Sequence, residues 1–304
     1  MLFAPPPTIE ATPFASLIQA TEAVEPSWGG NQPRGTPSKS LLEGPSFGSD
    51  GLLYCVDVQN GRVVRFSEEG ACEEVVRYHG WPNGLKFGRD GRAYIADYMH
   101  GIMVLDLDTR QVTPLVERYH AERFRGVNDL FFAANGDLYF TDQGLTGHQD
   151  PGGRVFRYAA GGRLELVLDR IPSPNGLVMN LAENALYVAV TRANAVWRVP
   201  FMQDGSVAKV GTFIQLSGGI GPDGLALDAN GGLAIAHVGM GSVWVTDARG
   251  EPSFRITYTV GDHITNVAYG GEGNRTLFIT ESSSASVLKA ELKVPGKKMF
   301  SQSG

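Results

Sequence analysis

Short apolar segments alternate with glycine-rich turns along the chain, from about residue 40 to residue 293. The apolar segments, such as Leu53–Val56 and Ala93–Ala96, are rich in Val, Ile, Leu and aromatic residues. Turns such as Ser49–Gly51 and Arg89–Gly91 separate them. Segments of this length, bounded by glycine, aspartate and asparagine, are typical of β-strands joined by tight turns. The pattern therefore predicts an all-β chain with little helix.

A polar residue followed by a short apolar strand occurs six times, and each copy continues with a turn and a second strand. The polar residues, called the ring residues below, are Glu43, Asn83, Asn128, Asn175, Asp223 and Asn266. They are 40, 45, 47, 48 and 43 residues apart. A repeat of about 45 residues that contains three or four short strands is typical of a β-propeller blade. The sequence therefore predicts a six-bladed β-propeller.

The last copy is too short to form a complete blade, because only three strands fit between Asn266 and the polar C-terminal tail. We expect the N-terminal segment to supply the missing outer strand, and Thr8–Ile18 is the candidate. The predicted organisation is an N-terminal segment over residues 1–40, one propeller domain over 41–295 and a tail over 296–304.

The composition fits this fold and excludes several partners. Glycine accounts for 39 of the 304 residues, and the net charge is −6 without any long basic run, so no nucleic-acid partner is expected. No apolar run approaches the roughly 18 residues of a membrane span, so no membrane partner is expected either. Cys55 and Cys72 are too few for a disulfide framework. With no signal peptide in Met1–Pro7, we expect free thiols and a cytoplasmic protein; the oligomeric state stays open.

The ring residues carry the candidate chemistry. The inner strand of every blade lines the central channel, so equivalent positions of the six blades meet in a ring. This ring holds two carboxylates and four carboxamides, with no Cys or His. Such hard oxygen ligands suit Ca²⁺, at roughly 2.3–2.6 Å, better than Zn²⁺. Asn and Asp also cap turns, but turn chemistry does not account for all six positions. The sequence therefore predicts a divalent cation in the channel.

The motifs around the ring residues resemble those of the gluconolactonase/regucalcin (senescence marker protein) family. The segments that carry the resemblance are Glu43–Pro45, Gly126–Asp129, Ser173–Leu177, Gly221–Asp228 and Thr265–Gly271. The resemblance extends from about residue 40 to residue 293. It implies a six-bladed propeller with one catalytic divalent cation that hydrolyses a small-molecule lactone of a sugar acid to a hydroxy acid.

The resemblance also implies roles for individual residues. Glu43, Asn175 and Asp223 are the implied metal ligands, and Asp223 is also the implied general base. Asn128 lies beside the metal, where it contacts the substrate or completes the ligand set. Asn83 and Asn266 are expected to orient the substrate. Calcium is the expected cation, with zinc, manganese and magnesium as alternatives.

The chain departs from related propellers at two informative places. Animal-type members carry an arginine two residues before the equivalent of Asn128, where this chain has Gly126, so Arg123 and Arg125 are the candidates for substrate contact. Related propellers that hydrolyse phosphotriesters hold a second, buried calcium. At the corresponding positions this chain has Ala226 and Ala268, so a second metal of that type is not expected.

Two other functions remain open from the sequence. One is a calcium-dependent phosphotriesterase or arylesterase that uses the same ring, and the other is a non-enzymatic binding propeller stabilised by a metal. Two histidines also have open roles. His148 lies in the long loop 143–153, which is placed to cover the channel mouth, and His237 follows a strand of blade five, where a structural role is expected.

Overall fold

The computed structural model describes residues 6–17, 28–31 and 40–302. Regular structure in these residues consists of β-strands and short 3₁₀ helices. The 3₁₀ helices are Gly29–Asn31, Val58–Asn60, Thr191–Ala193, Glu272–Asn274 and Phe300–Gln302. None of the helices in the described part of the chain is long and apolar enough to cross a membrane.

Six antiparallel sheets of successive strands form the blades. The chain begins with β1 (Thr8–Glu10) and β2 (Thr12–Ser16). Blade one is β3 (Leu42–Phe47), β4 (Leu53–Asp57), β5 (Arg62–Phe66) and β6 (Cys72–Arg77). Blade two is β7 (Pro82–Phe87), β8 (Ala93–Asp97), β9 (Gly101–Leu105) and β10 (Val112–Val116). A hairpin of β11 (Arg118–Tyr119) and β12 (Glu122–Arg123) leads to blade three.

The remaining blades follow the same order, from the channel outward. Blade three is β13 (Val127–Phe132), β14 (Leu138–Asp142), β15 (Gly153–Tyr158) and β16 (Leu164–Ile171). Blade four is β17 (Pro174–Met179), β18 (Ala185–Val190), β19 (Ala195–Pro200) and β20 (Gly211–Gln215). Blade five is β21 (Gly221–Leu227), β22 (Leu233–Val238), β23 (Ser242–Thr246) and β24 (Pro252–Thr257). Blade six contributes β25 (Ile264–Gly270), β26 (Thr276–Glu281) and β27 (Ser286–Glu291).

The N-terminal segment closes the propeller, which confirms the prediction. Strand β2 pairs antiparallel with β27, from Thr12 opposite Lys289 to Ser16 opposite Ser286, and becomes the outer strand of blade six. Strand β1 pairs parallel with β24 and adds a fifth strand to blade five. The segment therefore joins the last two blades and covers both of their outer edges. Ile18, the last residue of the predicted Thr8–Ile18 segment, lies outside the described residues.

Apolar contacts between neighbouring blades form the core. Tyr54 and Val56 of blade one, for example, pack in one cluster with Leu85 and Ile95 of blade two. Inner strands are buried almost throughout, whereas outer strands such as β10 are partly exposed. Because one blade cannot bury both of its faces, the stacked ring is the stable arrangement. Cys55 is buried and Cys72 is partly buried, and no disulfide joins the two residues.

The C-terminal segment crosses the end of the channel where the inner strands finish. The Lys297 backbone N–H donates to the Leu227 carbonyl of blade five, at 2.8 Å. The Lys297 ammonium donates to Glu183 at 2.8 Å, and the Phe300 ring stacks on Phe132 of blade three. The ring residues lie near the starts of the inner strands, toward the opposite end of the channel, which is called the mouth below. The domain boundaries at residues 40 and 295 stay predictions.

Candidate metal and substrate site

A register shift accompanies the ring residue in every inner strand. The shifts fall between Glu43 and Ser46, Pro82 and Gly84, Val127 and Leu130, Pro174 and Leu177, Pro222 and Leu225, and Ile264 and Asn266. A bulge of this kind changes the direction of a side chain and is common beside functional sites. All six ring side chains are buried near the start of their strands. The six irregularities explain how polar side chains are presented at one end of an apolar channel.

Glycine follows the ring residue in four blades, and the inner strands approach each other closely there. A Cβ atom on Gly176 would lie 2.5 Å from the Asp223 carbonyl oxygen. A Cβ atom on Gly224 would collide with the Asn266 side chain. Glycine at these positions therefore allows the ring residues of neighbouring blades to come together.

Hydroxyl groups connect neighbouring blades at the level of the ring. The Thr141 Oγ1 atom donates to the Asn175 carbonyl at 2.9 Å, and Thr191 Oγ1 donates to the Pro222 carbonyl at 2.8 Å. Thr265 Oγ1 donates across the closure between blades six and one, to the Leu42 carbonyl at 2.7 Å. These bonds hold the backbone on which the ring residues are mounted.

Two carboxylates and one carboxamide are in direct contact in the channel. The Asn266 Nδ2 atom donates to Glu43 Oε2 at 2.9 Å and to Asp129 Oδ2 at 3.4 Å. The Glu43 Oε2 atom also accepts the Gly44 N–H, at 3.0 Å. Asp129 is 3% exposed and occupies a place where four of the other copies have glycine. Sequence reasoning missed Asp129, and this break in the repeat is the signal that identifies it.

Asp223 is the least satisfied carboxylate of the ring. Its Oδ1 atom is buried and has no hydrogen-bond partner. Burial raises the pKa of Asp223 well above its usual range, and the charges of Glu43 and Asp129 raise it further. The Asn175 side chain and the Arg192 guanidinium act in the opposite direction. Arg192 is exposed on the Thr191–Ala193 helix, and sequence reasoning also missed it. The helix follows the second strand of blade four, which ends in Val190 where the second strands of blades one, two, three and six end in an acid.

Electrostatic repulsion among these acids favours a bound cation. Burial raises the pKa of Glu43 to about 8, with a further contribution from the charge of Asp129. Burial also raises the pKa of Asp129. The described residues contain no cluster of three or more His, Cys, Asp or Glu side chains that could bind a metal ion. A candidate ligand set must therefore combine carboxamides with carboxylates. An unpartnered buried carboxylate oxygen and hard oxygen donors fit a divalent cation such as Ca²⁺.

Asn128 is held by a chain of amide and hydroxyl groups. Its Nδ2 atom donates to Gln143 Oε1 at 3.0 Å, and Gln143 Nε2 donates to Ser173 Oγ at 3.0 Å. Because a carboxamide is planar, this bond also fixes the direction of the Asn128 Oδ1 atom. Asn83 is 3% exposed at the equivalent position of blade two.

Buried acids at the ends of the second strands hold the segments that lead into the ring. Asp57 accepts the Leu41 N–H at 3.2 Å and pairs with the buried Arg62 at 3.0 Å. Asp142 accepts the Gly126 N–H at 2.8 Å, and Glu281 accepts the His263 N–H at 3.2 Å. These acids therefore fix the backbone just before Glu43, Asn128 and Asn266.

The two histidines occupy different environments. His237 is fully buried; Trp244 Nε1 donates to its Nδ1 atom at 3.1 Å, and its Nε2 atom is 3.0 Å from the Gly218 carbonyl. Burial lowers the pKa of His237. The neutral imidazole of His237 therefore bridges Trp244 and Gly218 and holds the loop before Gly221. His148 is exposed in loop 143–153.

The two candidate arginines lie outside the ring. Arg123 is exposed on the β11–β12 hairpin. Arg125 is also exposed, and its Nη1 atom donates to the Gly152 carbonyl at 3.0 Å. The Tyr98 aromatic ring fills the space where a Cβ atom on Gly126 would lie. A substrate contact by either arginine stays a prediction.

Comparison with known proteins agrees with the fold and the motifs. The family model described as the SMP-30/Gluconolactonase/LRE-like region matches residues 41–283. A gluconolactonase of Zymomonas mobilis is 33% identical over 233 residues, which cover 70% of this chain and 64% of the relative. The chain thus matches slightly less than two thirds of that relative's length. Lactonase drp35 of Staphylococcus epidermidis is 28% identical over 71% of this chain and 69% of the relative.

Solved structures give the same architecture. A gluconolactonase from Xanthomonas campestris has a TM-score of 0.73 and 25% identity, over 85% of this chain and 86% of the other. Regucalcin from Agrobacterium tumefaciens, a calcium-binding protein, has a TM-score of 0.77 and 19% identity, over 98% of both chains. With most of the propeller matched by the family model, this chain belongs to the SMP-30/gluconolactonase/LRE-like family.

Proposed function

We propose that the protein hydrolyses a lactone to a hydroxy acid with the help of one divalent cation. The observation that carries this proposal is the unpartnered Oδ1 atom of Asp223, buried among other carboxylates and carboxamides. An oxygen in this position loses its hydration without gaining a partner, which is costly unless a cation or a reacting proton satisfies it. Because the same fold supports many functions, the proposal rests on the chemistry of the ring residues.

Glu43, Asn175 and Asp223 would hold the cation, and Asn128 would lie beside it. Calcium suits this oxygen set, and zinc, manganese or magnesium are alternatives. When bound, such a cation supplies positive charge to the lactone carbonyl oxygen and to the oxyanion that forms on attack. The calcium-binding regucalcin neighbour and the relatives named as lactonases support a cation-dependent lactone hydrolase.

Side chains at the mouth would then transfer the proton and orient the substrate. Asp223 accepts a proton from the attacking water, because burial and its acidic neighbours make it a stronger base than an exposed carboxylate. Asn128, fixed by Gln143, and the buried Asn83 orient the substrate. The positive charge of Arg192 lowers the pKa of Asp223, and we propose this residue as a further contact for the substrate or product.

A substrate panel tests this proposal. Purified, calcium-loaded protein should be assayed on an aldonolactone, simple γ- and δ-lactones, a phosphotriester and an aryl ester. We expect at least one lactone to be hydrolysed with a kcat/KM about a hundredfold or more above that of the triester. A faster reaction with the triester or aryl ester would favour the second enzymatic function. If calcium binds but no substrate turns over, the protein is a binding propeller.

A further inference from the structure

A lysine side chain lies in the channel below the ring carboxylates. Lys86 is on β7, three residues after Asn83, and is only 9% exposed. It lines a small central cavity of about 30 Å³ together with Ala226 and Ala268. Lys86 therefore brings a positive charge into the interior of the propeller.

The contacts of the ammonium group leave its charge without an adjacent partner. Its Nζ atom donates to the Leu85 carbonyl at 3.1 Å and to the Pro45 carbonyl at 3.5 Å. No carboxylate in the described part of the chain forms an ion pair with it at 4.0 Å or less. A buried charge is costly unless opposite charge compensates it. The compensation must therefore come from acids slightly farther away.

Asp129 is the acid best placed to compensate Lys86. Its Oδ1 atom lies against Gly84 of β7, 2.7 Å from where a Cβ atom on Gly84 would be. Gly84 to Phe87 pair with β8 in regular register, so Gly84 and Lys86 share one face of the strand. The positive charge of Lys86 also lowers the pKa of both Asp129 and Glu43.

The charges in the channel then balance with one divalent cation. Glu43, Asp129 and Asp223 carry three negative charges when ionised, and Lys86 carries one positive charge. Lys297 lines the same cavity, but Glu183 neutralises its charge at 2.8 Å. We propose that Lys86 is a built-in counter-charge that stabilises the cation-free channel and limits how tightly the ring binds a divalent cation. This inference rests on the proposed cation site. It assigns a role to a residue that is not itself a ligand.

Replacement of Lys86 should tighten calcium binding. Lys86→Met keeps the length and apolar stem of the side chain and removes the charge that repels the cation. We expect the Kd for calcium to fall about tenfold or more, since interactions between charges are strong where water is excluded. The cation-free variant should melt at a lower temperature than the wild type, and calcium should raise its Tm by a larger amount.

The measurement is calorimetric titration of chelator-stripped protein with CaCl₂, with thermal melts in the presence and absence of calcium. Lys293→Met removes the same charge from an exposed position and is the matched control. Asp129→Asn removes the opposing charge and should weaken calcium binding. The double variant, Lys86→Met with Asp129→Asn, should return to within about threefold of the wild-type Kd, because it removes one positive and one negative charge and leaves the net charge of the channel unchanged.

A wild-type Kd in folded Lys86→Met would overturn the inference. So would a fall in Tm of equal size with and without calcium, which is the behaviour of a lysine that only supports packing. If Lys86→Met unfolds without calcium, the Tm of the double variant tests the inference. The double variant should regain stability if the single variant unfolds because the negative charge of Asp129 is no longer compensated. Absence of calcium binding by the wild type would instead refute the proposed cation site.

Discussion

Asparagine in place of Asp223 is expected to leave the protein folded and calcium-bound, while lactone turnover falls by about 10²–10⁴-fold. The new side chain keeps an oxygen that can face the cation, but it cannot accept a proton from water at neutral pH. Burial, with the charges of Glu43 and Asp129, raises the pKa of Asp223 and thereby its basicity. The loss should therefore lie mainly in kcat, with a smaller change in KM.

The matched control for this variant is Asp228→Asn. Asp228 is also buried in blade five, but it accepts the Asn230 and Gly232 N–H groups in a turn at the closed end of the channel. Both variants should be compared with the wild type for kcat, KM, calcium affinity and Tm. Turnover of Asp223→Asn within tenfold of the wild type would remove Asp223 from the role of general base.

Glutamine in place of Glu43 should weaken calcium binding by about two orders of magnitude, because affinity for calcium depends on the number of charged ligands. Glutamine keeps an oxygen that can accept the bond from Asn266 Nδ2, which is 2.9 Å long in the wild type. The substitution thus removes charge with little change in shape. Turnover should recover when calcium is raised in proportion to the new Kd.

Glu74→Gln provides a control for the loss of an acid in the same blade. Glu74 lies on the outer strand β6 and pairs with Arg62 and Arg77, away from the ring. Calcium titration of both variants separates ligand loss from a general effect on blade one. If Glu43→Gln binds calcium as tightly as the wild type, Glu43 is not a ligand.

The repeat made the fold and the ring predictable. Each blade repeats one strand pattern, and a ring residue at the same point of each copy must face the same channel. The N-terminal closure was predictable for a related reason: blade six lacks one strand, and Thr12–Ser16 fills that edge. These are properties of strand order, which a sequence records directly.

Other parts of the site depend on geometry that strand order does not contain. Asp129 enters the ring because the bulge in blade three offers a second side chain to the channel, at a place where most copies have glycine. Arg192 lowers the pKa of Asp223 from a short helix at the mouth. Lys86 lowers the pKa of Asp129 and of Glu43 from inside the channel. Distances of this kind depend on how neighbouring blades pack. Arg123 and Arg125 were candidates because they lie close to Asn128 in the sequence, and their contact with the substrate stays a prediction.

The most direct test of cation-dependent hydrolysis is to measure lactone turnover by wild-type protein that has been stripped of metal and then titrated with CaCl₂. Bound calcium should be measured in the same samples. We expect turnover to be lost on chelation and to return in proportion to bound calcium, with saturation at one ion per chain. Full turnover by exhaustively stripped protein would contradict the proposed role of the ring.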